Sequence, residues 1–125
     1  MSYENQLQAG MEVRRKVLGD AHVDRAIAAT TDLDRDFQQW ITENVWGGLW
    51  SRDQLSHRDR SLVTIAILAA AGNEELELHL KAAKNTGATP EEISEVLLHV
   101  AAYAGVPAAN HALKTMKAVY EEDKG

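Results

Sequence analysis

Apolar residues recur through most of this chain at spacings of three and four, which is the period of an amphipathic α-helix. The two clearest stripes are Ile93, Val96, Leu97, Val100, Ala101 and Ala104, and then Ala109, Ala112, Leu113, Met116 and Tyr120. No segment sustains the alternation of apolar and polar residues that a half-buried strand shows, and no hairpin dipeptide separates β-branched runs. The pattern therefore predicts an all-α protein.

Capping residues predict a helix around the longest apolar run, residues 62–71. Ser56 followed by Asp59 is typical of a capping box, and Gly72 is a natural helix stop. The run is ten residues long, whereas a helix that spans a membrane needs about 20. We therefore expect a buried core helix and no membrane partner.

Three further helices are predicted in the second half, each opened by a recognisable residue. Asn73 can cap a helix over residues 74–86. The segment 89–92 combines a threonine N-cap, a proline at the first helical position and a glutamate at the third, and the helix that it opens closes at Gly105. Pro107 opens the last helix.

The first half predicts helices over residues 3–18, 20–29 and 32–46. Gly47 and Gly48 break the pattern, so Leu49 and Trp50 are expected in a loop. Together these segments predict a bundle of six to seven helices in a single domain, residues 1–125. Nineteen alanines imply close contacts between helices. Because so small a domain buries a limited core, we also expect a homo-oligomer.

Composition narrows the class of function. Thirteen Lys and Arg against nineteen Asp and Glu give a net charge of -6, which disfavours a nucleic-acid partner. The chain has no cysteine, so disulfides, thiolate catalysis, Fe–S clusters and cysteine zinc sites are excluded. The first ten residues are polar and lack the apolar core of a secretory signal. We therefore expect a cytoplasmic protein.

Two Glu–His pairs have the spacing that puts both side chains on one helix face. They are Glu75 with His79 and Glu95 with His99. A carboxylate one turn away can orient an imidazole for proton transfer, although such pairs also occur as ordinary surface contacts. His79 flanks an apolar stripe that begins at Leu76 and is the better candidate for a site. The Glu–His spacing of bridged di-iron bundles does not recur here, so the sequence does not favour a metal site.

An arginine cluster leads into the apolar run of residues 62–71. Arg52, Arg58 and Arg60 fall within nine residues of an otherwise acidic chain. Arginine suits the recognition of carboxylates, and the N-terminus of the following helix adds positive partial charge. The alternative is that Arg58 and Arg60 pair with Asp53 and Asp59.

Two tryptophans, Trp46 and Trp50, flank the pair of glycines at positions 47 and 48. Aromatic residues beside such a break can wall a pocket for a small molecule. Tryptophans also serve as core anchors or subunit contacts. The sequence leaves both interpretations open.

Five segments of the chain carry a resemblance to known proteins. They are GMEVRRKVLGDAHVDR at 10–25, WGGLWSR at 46–52, RSLVTIA at 60–66, NEELELHL at 73–80 and YAGVPAA at 103–109. These segments resemble the carboxymuconolactone decarboxylase family. That resemblance implies the alkyl hydroperoxidase D-like helical fold, whose peroxidase branch uses two cysteines and a histidine. His79 falls on that histidine, but Gly72 and Glu75 stand where the cysteines would be, so thiol peroxidase chemistry is excluded.

The resemblance implies decarboxylation of 4-carboxymuconolactone to the enol-lactone of 3-oxoadipate and CO2, in the protocatechuate branch of aromatic catabolism. It implies no cofactor and no metal, because the unsaturated lactone accepts the released electrons itself. Family members form rings, so a hexamer or a trimer is expected. The alternatives are a paralogue acting on a different unsaturated lactone or keto acid, and a non-catalytic oligomer that binds an anionic metabolite.

The same resemblance suggests a role for each candidate side chain. His79 would deliver the proton, with Glu75 orienting it or serving as the acid itself. Four arginines would bind carboxylate and steady the dienolate, and two tryptophans would desolvate the departing carboxylate. These six residues are Arg58, Arg60, Arg15, Arg52, Trp46 and Trp50.

Overall fold

A computed structural model describes the backbone of residues 3–121 and the side chains of residues 5–121. The helices are α1 (Tyr3–Leu18), α2 (Asp20–Ala29), α3 (Arg35–Ile41), a π-helix (Thr42–Trp50), α4 (His57–Ala71), α5 (Leu76–Thr86), α6 (Pro90–Ala104) and α7 (Val106–Glu121). No strand occurs within residues 3–121, so the all-α prediction is confirmed, and the seven α-helices of this range agree with the predicted six to seven. None of the helices in this range is long and apolar enough to cross a bilayer.

The chain divides into two compact units. The first ends at His57 and the second begins at Arg58. The first unit therefore holds α1, α2, α3 and the π-helix, and the second holds α5, α6, α7 and nearly all of α4. The expectation of a single domain over residues 1–125 stays a prediction.

The first unit is built on a close contact between α1 and the π-helix. A Cβ atom added at Gly10 would collide with the carbonyl oxygen of Thr42 and would lie 2.9 Å from the amide nitrogen of Gly47. A Cβ atom at Gly47 would collide with the carbonyl oxygen of Gln6. Glycine is therefore needed on both sides, because the two backbones touch where side chains normally separate helices.

The expected helix break at residues 47 and 48 is wrong. The π-helix continues through Gly47 and Gly48 to Trp50, so Leu49 and Trp50 lie in a helix and not in a loop. Glycine usually weakens an isolated helix because of its backbone freedom. Here Gly47 serves the packing of α1, and the tertiary contact outweighs that intrinsic preference.

The second unit has a continuous apolar core. Its buried members include Ile65, Ala69, Leu76, Leu80, Ala83, Ile93, Leu97, Val100, Ala109, Ala112, Met116 and Val119. Apart from the exposed Ala104 and Leu113, the residues of the two stripes read from the sequence lie in this core or pack against it. The predicted cap of α6 is also confirmed: the Thr89 amide donates to Glu92 Oε1 at 2.9 Å, and the Glu92 amide donates to Thr89 Oγ1 at 3.1 Å.

Helix α4 differs from the expectation of a fully buried core helix. Ile65 and Ala69 are buried, but Val63 is 49% exposed and Ile67 is 63% exposed. Apolar side chains lie on all faces of α4, whereas the rest of the second unit buries only the face that carries Ile65 and Ala69. The start of α5 is also shifted to Leu76, because Asn73 Oδ1 accepts from the Glu75 amide at 2.8 Å in the preceding turn.

Candidate functional site

The tryptophans of the first unit form a buried aromatic pair. Trp46 and Trp50 are 5% and 4% exposed, and their ring centroids lie 5.0 Å apart at 38°. The ring of His57 lies 6.0 Å from that of Trp50, and its Nε2 donates to the Trp50 carbonyl oxygen at 3.0 Å. The structure thus brings the two predicted residues together as anchors of the first unit. Their role as a substrate wall stays a prediction.

Arg14 is a buried cation that the sequence argument missed. It is 6% exposed, and it donates from Nη1 to Thr42 Oγ1 at 3.1 Å and from Nη2 to Gln38 Oε1 at 3.0 Å. Removal from water lowers the pKa of its guanidinium, and the like charge of Arg15 adds to that effect. These two bonds hold α3 and the π-helix at the point where α-helical geometry changes to π-helical geometry.

Arg15, the neighbour that the sequence favoured, has a surface environment. It pairs with Asp20 at 3.0 Å and with Asp24 at 2.9 Å, and hydrogen bonds to these carboxylates raise its pKa. Helical phase separates the two arginines: Leu7, Gly10, Arg14 and Val17 follow one another at three, four and three residues. That phase was the available signal for Arg14.

Arg52 lies at the exposed end of the π-helix. Its amide donates to the Leu49 carbonyl oxygen at 3.1 Å, which closes the last turn of this segment. Its side chain is on the surface of the first unit. A role in binding carboxylate stays a prediction for Arg52.

Arg58 and Arg60 begin α4 in different surroundings. Arg58 donates to Asp59 at 2.6 Å and forms an ion pair with Glu92, whose Oε1 also accepts from Arg58 Nε at 3.2 Å. The predicted alternative, pairing of Arg58 with Asp59, is therefore present, and Glu92 links the starts of α4 and α6. Arg60 is only 8% exposed. Its position inside the second unit makes it the better protected of the two cations.

Glu75 and His79 are one turn apart at the start of α5. The His79 amide donates to the Glu75 carbonyl oxygen at 3.3 Å. His79 is half-buried between the buried Leu76 and Leu80, whereas the Glu75 side chain is exposed. The expectation that His79 borders the core is confirmed. The proton-transfer roles of this pair stay predictions.

The second Glu–His pair faces outward. Glu95 and His99 are both exposed, and the His99 ring stacks on Tyr103 with centroids 4.9 Å apart. They border a largely apolar groove of about 770 Å³ between α4 and α6. Neither Arg60 nor His79 lines this groove.

The described side chains include no cluster of three or more His, Cys, Asp or Glu placed to hold a metal ion. Within the second unit, the candidate polar groups are Arg58 and Arg60 on α4 and His79 on α5. Such groups suit an anionic ligand and a transferable proton.

Known proteins resemble this chain along nearly its whole length. The model of the carboxymuconolactone decarboxylase family matches residues 35–118. A 4-carboxymuconolactone decarboxylase of Acinetobacter baylyi is 44% identical over 123 residues, which cover 98% of this chain and 92% of that protein. A nitrosuccinic acid decarboxylase of Metarhizium robertsii is 40% identical over 119 residues, covering 93% and 83%. A 4-carboxymuconolactone decarboxylase of Pseudomonas putida is 47% identical over 47 residues, covering 38% and 98%.

Proposed function

The chain belongs to the carboxymuconolactone decarboxylase family, and we propose on that premise that it is a carboxy-lyase acting on 4-carboxymuconolactone. The observation that carries the proposal is the identity of 44% with a 4-carboxymuconolactone decarboxylase over 98% of this chain. The match covers both units, including the segments that hold the tryptophan pair, the two α4 arginines and His79. The proposed activity is therefore supported by a match over nearly the whole chain and not by a shared core motif alone.

The chemistry of this substrate sets the tasks of the protein. The bond to the departing carboxylate lies γ to the carbonyl of an α,β-unsaturated lactone. When CO2 leaves, the bonding electrons move through the double bond to the carbonyl oxygen of the lactone and give a dienolate. A proton added at the α-carbon then gives the enol-lactone of 3-oxoadipate. The protein must bind the second carboxylate, stabilise the dienolate oxygen and supply the proton.

The proton donor in this proposal is His79 or its neighbour Glu75. The half-buried position of His79 supports it, because a partly desolvated imidazole at the edge of a core can be held in one orientation. Glu75 is exposed at the beginning of the same helix. It can exchange protons with water and would orient or recharge the imidazole, or serve as the acid itself.

Among the α4 arginines, we expect Arg60 to contribute more to substrate binding than Arg58. Arg60→Gln is expected to raise KM at least about tenfold, because a hydrogen bond to a charged group contributes about 1.5–3 kcal/mol. Arg58→Gln should raise KM less, because Asp59 and Glu92 already neutralise that cation. Arg25→Gln, at an exposed position of α2, is the control. Steady-state kinetics measures all three.

Because Arg60 is buried, its variant needs a second test. Arg60→Lys keeps the charge and should recover part of the lost affinity for substrate, which a purely structural role of the guanidinium would not explain. Circular dichroism checks the helix content of each variant. If Arg60→Gln and Arg58→Gln both keep the KM of the original protein, the carboxylate clamp on α4 is wrong.

Purified protein mixed with freshly generated 4-carboxymuconolactone should release CO2 and change the ultraviolet absorbance of the lactone. Turnover should be the same with and without EDTA, because the lactone carbonyl accepts the electrons that a cofactor would otherwise take. A non-catalytic binding protein would show only ligand-dependent thermal stabilisation. Folded protein that gives no CO2 from this lactone would overturn the proposed substrate.

Nitrosuccinate is a second candidate substrate, favoured by the 40% identity with a nitrosuccinic acid decarboxylase. Loss of CO2 beside a nitro group also leaves electrons on oxygen, and a second carboxylate remains for the arginines to bind. Both reactions thus need the same three tasks. Parallel assays of the two acids under the same conditions decide between them by the ratio of kcat/KM.

We further propose that the protein acts as a cytoplasmic homo-oligomer, a hexamer or a trimer. The exposed apolar side chains of the second unit support self-association: Ile67 is 63% exposed and Tyr103 is 83% exposed. Monomeric proteins rarely expose a group of neighbouring apolar side chains to solvent, so such a patch indicates an interaction surface. Light scattering on the protein used for the assay measures the subunit number, and a monomer would overturn the proposal.

A further inference from the structure

Glu43 in the π-helix is a buried carboxylate that the proposed reaction does not use. It is 6% exposed, and its Oε1 is buried without a hydrogen-bond partner among the described residues. A buried carboxylate normally meets a cation or several donors, because the charge loses its hydration when it leaves water. The neighbouring buried cation, Arg14, donates to Thr42 and Gln38 and forms no ion pair with Glu43.

Glu43 lines a cleft of about 410 Å³ in the first unit, formed by α1, α3 and the π-helix. The lining side chains are Gln6, Asp36, Gln39, Trp40, Glu43 and Asn44. Two of them are carboxylates and none is basic. The volume lies in the range of clefts that hold a small organic molecule and is too large for a bare metal ion.

Two side-chain amides of the cleft each donate a hydrogen bond to a backbone carbonyl oxygen. Gln6 Nε2 donates to the Glu43 carbonyl oxygen at 2.8 Å, and Asn44 Nδ2 donates to the Trp40 carbonyl oxygen at 3.0 Å. Each amide oxygen therefore remains as an acceptor. With the carboxylates of Asp36 and Glu43, the cleft offers chiefly hydrogen-bond acceptors, which match a ligand rich in N–H donors.

Trp40 adds an aromatic surface to the same cleft. Its side chain is 58% exposed, which is unusual for so large an apolar residue in a helix. An indole face attracts ammonium groups and also packs against a methylene chain. An anionic lactone would be repelled by Asp36 and Glu43, so this cleft is distinct in chemistry from the proposed substrate site.

We propose that this cleft binds an aliphatic diammonium ion, with Glu43 and Asp36 each pairing one ammonium group. The two carboxylates are seven residues apart along one helical path, about 10 Å at the helix rise of 1.5 Å per residue. A flexible chain of about five carbons between the amines, with a hydrogen bond of about 2.8 Å at each end, spans this separation. The methylene chain then covers the indole of Trp40.

Isothermal titration calorimetry with cadaverine tests the proposal without any enzyme assay, so its outcome is independent of the proposed reaction. Cadaverine should bind more tightly than pentylamine, and pentanediol should not bind. Glu43→Gln should weaken cadaverine binding at least about tenfold, because it removes a buried hydrogen-bonded ion pair from the cleft. Asp36→Asn should weaken it by about twofold to fivefold, because an exposed ion pair contributes about 0.2–1 kcal/mol. Asp36 is exposed, so its variant tests the site even if Glu43→Gln disturbs folding.

Asp53→Asn is the matched control, because it removes one carboxylate of the first unit outside the cleft. It should leave cadaverine binding unchanged. If all three variants weaken cadaverine binding equally, the binding is only the general attraction of a dication to an acidic chain, and the proposed site is wrong. The proposal also fails if cadaverine shows no saturable binding, or if Mg²⁺ or K⁺ binds as tightly and displaces it.

Discussion

His79→Ala is expected to lower kcat by about 10²–10⁴-fold while KM changes little, because a positioned general acid contributes about that factor to the rate. The imidazole would act on the dienolate after the carboxylate is bound, so its loss removes the proton and not the binding groups. Steady-state kinetics with 4-carboxymuconolactone or, if that acid is the substrate, nitrosuccinate measures the effect.

Two further variants separate a catalytic loss from a structural one. His111→Ala removes an exposed histidine of the same unit and should keep full activity. His79→Gln preserves side-chain volume, so it should match the activity of His79→Ala if the proton is what matters. A decrease of less than about tenfold in kcat for both His79 variants would remove His79 from the proton-transfer role. In that case Glu75→Gln becomes the decisive variant, since Glu75 would be the remaining donor on this turn.

Gly10→Ala should destabilise the first unit by about 1–3 kcal/mol or more, the usual cost of forcing extra atoms into a close contact. The added methyl group would meet the backbone carbonyl oxygen of Thr42 and the amide nitrogen of Gly47. Neither is a flexible side chain, so α1 must move away from the π-helix to make room. Denaturant unfolding followed by tryptophan fluorescence measures the change, because Trp46 and Trp50 report on this contact.

Gly48→Ala is the matched control for this prediction. It lies in the same packed segment, but its added methyl group would be 3.4 Å from Gln6 Nε2 and 3.6 Å from the Glu43 carbonyl oxygen, which is ordinary contact. Alanine is favoured over glycine in helices by up to about 1 kcal/mol, so Gly48→Ala should be neutral or stabilising. If both variants lose the same stability, the close backbone contact at Gly10 is not what the first unit depends on.

The helix ends of the second unit could be predicted because their signals are local. The Thr89 hydroxyl and the Glu92 carboxylate satisfy each other's amides within one turn, so four residues decide where α6 begins. Gly72 and Gly87 adopt positive φ at the ends of α4 and α5, a conformation that other residues rarely take. Such features need no knowledge of what the helix packs against.

The first unit could not be predicted in the same way. The π-helix depends on the fit of α1 against Gly47, and on Arg14, whose bonds to Thr42 and Gln38 reach 28 and 24 residues along the chain. A pair of glycines weakens an isolated helix, so local preference predicted a loop there. The choice of Arg14 over Arg15, in contrast, was open to the sequence, because Arg14 shares its helical phase with Gly10 and Val17.

The sequence predicted which residue types the candidate site contains, but it did not predict their ion pairs or their burial. The spacing of Glu75 and His79 placed them one helical turn apart, and in the structure Glu75 is the residue before α5 whose carbonyl oxygen accepts from the His79 amide. The pairing of Arg58 with Glu92 could not be foreseen, because 34 residues separate them. Burial of Glu43 was equally hidden, since a lone glutamate between polar neighbours carries no sign that it faces inward.

The π-helix has a consequence for how this chain can change in length over evolution. Each π-helical turn holds roughly one residue more than an α-helical turn, since its hydrogen bonds run from i to i+5. Deleting one residue between Thr42 and Trp50 would return one turn to α geometry and leave the residues after it at nearly their present rotation about the helix axis, because the turn loses only its extra residue. The same deletion within a regular α-helix such as α6 would rotate the residues after it by about 100°. We therefore expect related chains to tolerate a one-residue deletion in the π-helix better than in the α-helices.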